Sequence, residues 1–319
     1  MFNRTAVFDF LLLEFSEVRA LQFLHFTVFL IIYLATVTGN FLIISSVALD
    51  HHLHTPMYFF LMNLAVLDLG LVSVIVPKSM INSLLNTRHI SYSGCVSQVF
   101  FFVFFMASDF CILTVMAYDR YVAICNPLHY EMVINQQACT AMLAGVWVAG
   151  FLSAGMHTTG TFATHFCSNV VNQFFCEIPQ LIKLTCSDLN LIEITTIGIV
   201  VVLAMGCFVY ILVTYVHIFT TVLRLPSAKG RQKALSTCLP HLIVCSTFIF
   251  TGCVAYLKPV SSTPSWLELI FTVIYSLVPP MLNPIIYSIR NKEIKVGMKK
   301  LLRLKYPSNN VYSFTEYVD

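Results

Sequence analysis

Asp119 and Arg120 stand side by side where a long run of apolar residues ends. If that run is a helix that crosses a bilayer, the pair lies at the boundary between membrane and water. A guanidinium group in that position needs a partner, and the adjacent carboxylate can supply one. An arginine held in this way can act as a switch, because breaking the pair frees it to meet another protein. The alternative is an interfacial arginine whose side chain only reaches toward water.

Two further acids, Asp68 and Asp109, lie inside apolar runs, where an ionisable group is costly and usually faces the interior of a helix bundle. Asp109 and Arg120 are eleven residues apart, close to three helical turns, so both point to one face. The functional interpretation is an internal cation or proton site whose occupancy differs between two states of the bundle. The alternative is a polar packing cluster, with Asn40, Ser108 or Asn283 as the satisfying partners.

A third feature is Asn283-Pro284 within an apolar run, with Tyr287 one turn further on. Proline removes a backbone hydrogen bond and allows a helix to kink. The sequence predicts that Asn283 satisfies a carbonyl group that the proline leaves free. A kink with a tyrosine below it is a plausible moving part, and a static kink is the alternative.

The composition indicates that a membrane must position these residues. The chain has 319 residues, of which 58% are hydrophobic and 10% are charged, and its mean hydropathy is +0.81. A soluble domain carries about 25% charged residues, so this chain could not cover a water-facing surface. A bilayer-spanning helix needs about 20 mostly apolar residues. Seven runs meet that requirement, and the predicted fold is an all-α bundle of seven transmembrane helices at about 23–49, 57–84, 96–124, 138–160, 191–223, 234–257 and 266–289.

The distribution of basic residues predicts the orientation of the bundle. Twelve of the eighteen Lys and Arg residues lie on the side that carries the carboxy terminus, which the positive-inside rule places in the cytoplasm. Seven spans then put residues 1–22 outside the cell, where Asn3 is a glycosylation acceptor. Residues 290–319 form the cytoplasmic end, beginning with a short, basic and amphipathic eighth helix along the membrane surface. We expect a multi-pass protein of the plasma membrane.

Eleven cysteines fall into two groups. Seven lie within or at the ends of apolar runs and are most simply small core residues. Cys95, Cys167, Cys176 and Cys186 lie at run ends or in the long polar segment 161–190, and an even number of extracellular cysteines indicates disulfides. Four cysteines allow three pairings. A zinc site is the rival interpretation, and it is disfavoured because no CxxC or His pair accompanies them.

Two strings resemble those of the olfactory receptors, a branch of the rhodopsin-like G-protein-coupled receptors. They are MAYDRYVAICNPLHY at 116–130 and LHTPMYFFLMNLAVLD at 53–68. The resemblance extends over roughly residues 20–300. It implies a receptor for a small odorant that activates a stimulatory heterotrimeric G protein and raises cyclic AMP, with no nucleic-acid partner. A non-olfactory receptor for a metabolite is an alternative within the family.

The resemblance also implies roles for individual residues. Asp119, Arg120 and Tyr121 form the string that couples to the G protein, and Tyr215 and Tyr287 swing inward on activation to meet Arg120. The position that matches Asp68 binds sodium in the wider receptor family, which makes sodium the expected ion of the internal site, and no other cofactor is expected. Asp109 stands where olfactory receptors commonly have Glu. The implied disulfides are Cys95–Cys176 and Cys167–Cys186.

The ligand site is expected in the outer half of the bundle. Residues 96–108 contain no acid, which argues against an amine receptor of the usual type, and the absence of Lys between Trp266 and Tyr287 excludes a retinal Schiff base. An apolar, aromatic cavity suits a small and mostly hydrophobic molecule. The candidate pocket residues are Phe102, Phe105, Met106, Ile199, Leu203, Thr251, Cys253 and Tyr256.

One stretch departs from the family pattern. Olfactory receptors usually carry Phe-Tyr-Gly-Thr in the sixth run, and this chain has Phe248-Ile249-Phe250-Thr251, so the tyrosine hydroxyl is missing there. The sequence argues against two other classes of protein. A transporter would show paired half-repeats or helices broken at mid-membrane, and the sequence shows neither. An enzyme would need a nucleophile–base pair or a metal set in its water-facing loops, and we find none.

Overall fold

The chain folds as a helical bundle in a computed structural model. The described residues are 9–13, 18–186, 191–224, 227–257, 266–290 and 294–298. The long helices are α1 (Arg19–Leu49), α2 (Pro56–Leu85), α3 (Tyr92–Cys125), α4 (Gln136–Phe162), α5 (Leu191–Leu223), α6 (Ala228–Leu257) and α7 (Trp266–Arg290). Single helical turns lie at His51–Leu53, Pro127–His129, Tyr130–Val133 and Ile178–Ile182. The predicted all-α bundle of seven helices is thus confirmed.

Six of the described helices are long and apolar enough to cross a membrane, and α6 contributes the shorter apolar stretch His241–Val254. Three helices begin clearly earlier than the sequence suggests, and the largest difference is in α6, which starts at Ala228 rather than at 234. α1 starts at Arg19, and α3 starts at Tyr92, where Ser91 accepts a hydrogen bond from the Gly94 amide at 3.1 Å and caps the helix. Hydropathy alone misses such polar first turns. Of the predicted eighth helix, the structure describes residues 294–298, which are helical.

The helices pack in a closed ring with α3 near its centre. α1 contacts α2 and α7, α3 contacts α2, α4 and α5, and α6 contacts α5 and α7. Glycines allow close approaches at two of these helix contacts. A Cβ atom on Gly39 would lie 2.8 Å from Pro284 of α7, and one on Gly150 would lie 2.0 Å from the Ser108 hydroxyl and 2.9 Å from the Phe104 carbonyl. Small residues in α4 therefore do permit close packing against α3, at Gly150.

A small sheet joins one end of the bundle and is an addition to the predicted all-α fold. β1 (Asp9–Leu12) pairs antiparallel with β2 (His89–Ser91) and parallel with β3 (Val170–Val171), in the order β2-β1-β3. We call the end with the sheet the outer end, and the opposite end, which carries Asp119 and Arg120, the inner end. Each end has its own cluster of buried apolar side chains.

Candidate functional site

At the inner end, Asp119 is paired with a residue that the sequence did not suggest. Its carboxylate is buried and accepts a hydrogen bond from the Tyr130 hydroxyl at 2.7 Å. Consecutive helical residues do not face each other, so the side chains of Asp119 and Arg120 diverge. The turn at Pro127–His129 brings Tyr130 back over the end of α3. Burial and the bond to Asp119 raise the pKa of Tyr130, which keeps its hydroxyl a donor.

Arg120 instead directs a guanidinium nitrogen to the Met57 sulfur in the first turn of α2. Its charge lies within electrostatic range of Tyr215, Tyr287 and His241. The Tyr215 and His241 rings are 5.6 Å apart. Within the described part of the chain, no hydrogen-bond partner reaches the two tyrosine hydroxyls or the His241 Nε2 atom, all of which are buried. Sequence reasoning placed both tyrosines beside Arg120 and missed His241.

Tyr121, the third residue of the predicted coupling string, points toward α5. Its ring lies 6.2 Å from the ring of His217 in an edge-on contact. Half-buried Tyr121 therefore joins α3 to α5 at the residue directly after Arg120. Asp119, Arg120 and Tyr121 therefore contact three different neighbours, which are Tyr130, α2 and α5 respectively.

The carbonyl group that Pro284 leaves free is satisfied by α1, which corrects the role predicted for Asn283. Pro284 has no N–H to offer the Pro280 carbonyl, and Asn40 of α1 donates its Nδ2 to that carbonyl at 3.1 Å. Asn283 instead donates to both carboxylate oxygens of Asp68, at 3.0 and 3.2 Å. Asn40 can reach this carbonyl because Gly39, which has no side chain, lets α1 approach Pro284 closely.

The two membrane acids lie near each other in the middle of the bundle. Asp68 and Asp109 are 1% and 5% exposed, and Asp68 acts electrostatically on Asp109. Buried oxygens of this group lack a hydrogen-bond partner among the described residues, namely Asp109 Oδ1, Asn283 Oδ1 and Asn40 Oδ1. Carboxylate, amide and hydroxyl oxygens are the ligands that hard cations take in proteins. The residues present therefore fit a small cation such as sodium.

The predicted pocket residues differ in where the structure places their side chains. Phe102 is buried at the outer end, with its ring 5.0 Å from Phe175 and 6.2 Å from Tyr275. Phe105 and Met106 pack against the same outer cluster. On α6, Thr251 is buried and donates to the Thr247 carbonyl at 2.6 Å.

Two other predicted pocket residues face away from the bundle interior. Ile199 and Leu203 are 45% and 63% exposed, on the outward side of α5. Sequence reasoning took the outer half of α5 as pocket wall, but the rotation of that helix about its axis was not determined by its uniformly apolar sequence. Cys253 is half-buried, and the side chain of Tyr256, like Asn3, lies outside what the structure describes.

A loop segment covers the outer end, and its contacts were not visible in the sequence. Disulfide bonds join Cys95 to Cys176 and Cys167 to Cys186. The Cys176 amide donates to Gln98 at 2.8 Å, and Gln173 donates to Thr272 of α7 at 2.8 Å.

A buried acid completes this cover. The Tyr275 hydroxyl of α7 donates to the carboxylate of Glu177, which is 2% exposed. The signal that could have found it is its place directly after Cys176, because a disulfide fixes its neighbours too. We call residues 173–177 the roof.

Comparison with known proteins agrees with this architecture. The family model described as "Olfactory receptor" matches residues 29–305. The chain belongs to the olfactory receptor family. It is 50% identical over 306 residues to olfactory receptor 14A16 of Homo sapiens, covering 96% of this chain and 99% of that one. It is 47% identical to olfactory receptor 14C36 (97% and 99% covered) and 44% identical to olfactory receptor 10C1 (96% and 98% covered), both also of Homo sapiens.

Membership has direct consequences for the class of protein. The chain is a multi-pass membrane receptor of the rhodopsin-like type, and its relatives are receptors rather than enzymes. The rival zinc interpretation of the loop cysteines finds no support in the structure. Two disulfide bonds take up all four of these cysteines, and in the described part of the chain no three His, Cys, Asp or Glu side chains come together as a metal site.

Proposed function

We propose that this receptor binds a small, mostly hydrophobic odorant in the outer half of the bundle and activates a stimulatory heterotrimeric G protein, which raises cyclic AMP. It acts in the plasma membrane with its amino terminus outside the cell. The observation that carries the proposal is the course of α3. One continuous helix, Tyr92–Cys125, holds Phe102 and Met106 in the outer cluster and Arg120 in the inner one. A ligand that shifts α3 at one end therefore moves Arg120 at the other.

The odorant site is built from the outer cluster beneath the roof. Phe102, Phe105 and Met106 of α3 supply an aromatic and sulfur-rich wall, and Thr251 and Cys253 of α6 supply a few polar atoms. Such a lining takes apolar molecules and orients them with one or two hydrogen bonds. Ile199 and Leu203 are left out of this site because their side chains point outward.

The G-protein surface lies at the inner end, beside Asp119 and Tyr130. The turn that follows α3 exposes two large apolar side chains, Leu128 at 93% and Met132 at 72%. Exposed apolar side chains beside a polar switch mark a surface that a protein partner covers. The bond from Tyr130 to Asp119 fixes this turn to the end of α3. Movement of α3 would therefore be felt at the docking surface as well as at Arg120.

The experiment is a screen of odorants in cells that carry a cyclic AMP reporter. An active odorant should raise cyclic AMP without any ligand-gated current, which separates a receptor from a transporter. Arg120→Ala should abolish the response while surface staining stays at the parent level, since Arg120 is remote from the roof. If Arg120→Ala still responds with the parent's potency and amplitude, Arg120 is not the G-protein contact.

We further propose that Asp68, Asp109 and Asn283 hold a sodium ion or a proton that biases the resting bundle. Two carboxylates this close in an interior of low dielectric do not both stay ionised unless a cation is shared. A bound cation would neutralise charge there, and it shifts the bundle only if the two conformations bind it unequally. Asp109→Asn should change basal cyclic AMP and remove any sodium dependence, with odorant selectivity unaltered. A variant with the parent's basal signal and sodium response would exclude this site.

A further inference from the structure

A groove on the side of the bundle, between α2 and α3 near the outer end, is not explained by the odorant or G-protein sites. It encloses about 400 Å³ and is lined by Val74 and Lys78 of α2 and by Ser97 and Phe101 of α3, under the start of α3 at Ser91. Phe101 is 47% exposed. Because an exposed ring on a membrane-spanning helix meets acyl chains, the groove opens toward the bilayer.

Lys78 sets the chemistry of this groove. Among the described residues that line it, Lys78 alone is charged. It lies seven residues before the last residue of α2, so its Cα is about 10 Å below the outer end of that helix. A charge at that depth is costly unless the ammonium group reaches the headgroup region or a counter-charge comes to it. Four methylenes let a lysine extend toward the interface while its stem stays against apolar surface.

We propose that the groove binds one phospholipid of the surrounding leaflet, with its phosphate paired to Lys78 and an acyl chain lying along Val74 and Phe101. The phosphate is the complementary charge at the right depth, and the exposed Ser97 hydroxyl can donate a second hydrogen bond to it. The lipid spans α2 and α3 at their outer ends and holds them at a fixed separation. This site requires neither the proposed odorant pocket nor the proposed G protein.

One acid competes for Lys78 by position. Asp9 of β1 stands opposite Ser91 in the strand register, directly beside the upper edge of the groove. If Asp9 neutralised Lys78, a phosphate would gain little from binding there. Changing Asp9 and Lys78 separately therefore distinguishes a lysine held by the protein from a lysine that holds a lipid.

The test uses the full-length receptor in phosphatidylcholine nanodiscs doped with a photo-crosslinking phosphatidylcholine. Peptide mass spectrometry should find the label on residues 74–78 and 91–101. Lys78→Gln should reduce labelling of these peptides at least fivefold, Lys78→Arg should retain it, and Asp9→Asn should leave it unchanged. Ser97→Phe fills the groove with the charge intact and should also abolish labelling, which keeps the test decisive if Lys78→Gln does not fold.

Three results would overturn the proposal. The first is labelling of the groove peptides that Lys78→Gln and Ser97→Phe both leave at the parent level. The second is a parent receptor whose groove peptides carry no label. The third is preferential labelling by a photo-crosslinking sterol that phosphatidylcholine does not displace, which would make the occupant a sterol.

Discussion

The roof at the outer end and the tyrosine pair at the inner end differ in how their buried polar groups are satisfied. At the outer end, roof residues are fixed by the disulfide to Cys95 and by hydrogen bonds with Gln98, Thr272 and Tyr275. At the inner end, the hydroxyls of Tyr215 and Tyr287 are buried with no partner in the described structure. Each buried unsatisfied group costs about 1–3 kcal/mol, so the inner end gains by rearranging and the outer end loses.

This difference indicates where motion can occur. The pinned roof covers the proposed odorant site, while the inner end has hydroxyl groups that a second arrangement could satisfy. The middle of the bundle is suited to connect them, because α7 is joined there to α1 by the bond from Asn40 to the Pro280 carbonyl and to α2 by the bond from Asn283 to Asp68. Under the proposed function, we expect activation to repack the inner end about α3 and α7 and to leave the roof unchanged.

The largest effect should come from breaking the covalent tie of the outer end. Cys95→Ser opens a link between residues 81 apart in sequence, worth about 4–5 kcal/mol in the chain-entropy model, and surface expression should fall to background. Cys167→Ser opens a link across 19 residues, worth about 3 kcal/mol, and should be milder. Cys253→Ser, which removes a free thiol, should express like the parent.

Peptide mapping under non-reducing conditions checks the pairing itself. A peptide in which Cys95 is linked to any residue other than Cys176 would contradict the described roof. If Cys95→Ser were expressed at the parent level, this disulfide would not be what holds the outer end. The proposed difference between the two ends would then be wrong.

A smaller effect is expected where α3 and α4 touch. Gly150→Val places a side chain against the Phe104 carbonyl and the Ser108 hydroxyl, and overpacking of this kind costs about 1–3 kcal/mol. Gly155→Val on the same helix meets nothing within 4 Å among the described residues and is the matched control. Thermal unfolding of the purified receptor should show a lower midpoint for the first variant and a parent-like midpoint for the second. Equal midpoints would mean that α3 can yield at this crossing.

A matched pair of tyrosines tests the comparison most directly. Tyr275 and Tyr215 are each 1% exposed, but only the Tyr275 hydroxyl has a described partner, Glu177. Tyr275→Phe removes the tyrosine hydrogen bond to that buried carboxylate and should cost about 1–3 kcal/mol of stability. Tyr215→Phe removes a buried hydroxyl that has no described partner, so the thermal midpoint should stay at the parent value or rise, and odorant-evoked cyclic AMP should fall. If Tyr215→Phe lowered the midpoint more than Tyr275→Phe, the inner end and not the outer end would be the one held by its tyrosine.

Much of the fold was predictable from local sequence. The lengths of the apolar runs gave seven helices, and the turn at Asn135 is an example of a local signal, because its side chain caps α4 by accepting from the Ala138 amide at 2.9 Å. The strand β1 was not predictable, since four residues carry no periodicity and pair only with segments about 80 and 160 positions away. The family strings located Arg120 and Asp68, and the proline within the last apolar run located Asn283, without showing what these residues contact.

The sequence by itself determined the class of the molecule, because hydropathy over twenty residues is a property of each segment alone. It also determined which cysteines stay free within apolar runs. Only the tertiary structure decided that Asp119 pairs with Tyr130 and that Asn40 bonds the Pro280 carbonyl. It also decided that Ile199 and Leu203 face outward. These facts depend on how each helix is rotated about its axis, and in a helix that is apolar all round, only contacts with neighbouring helices set that rotation.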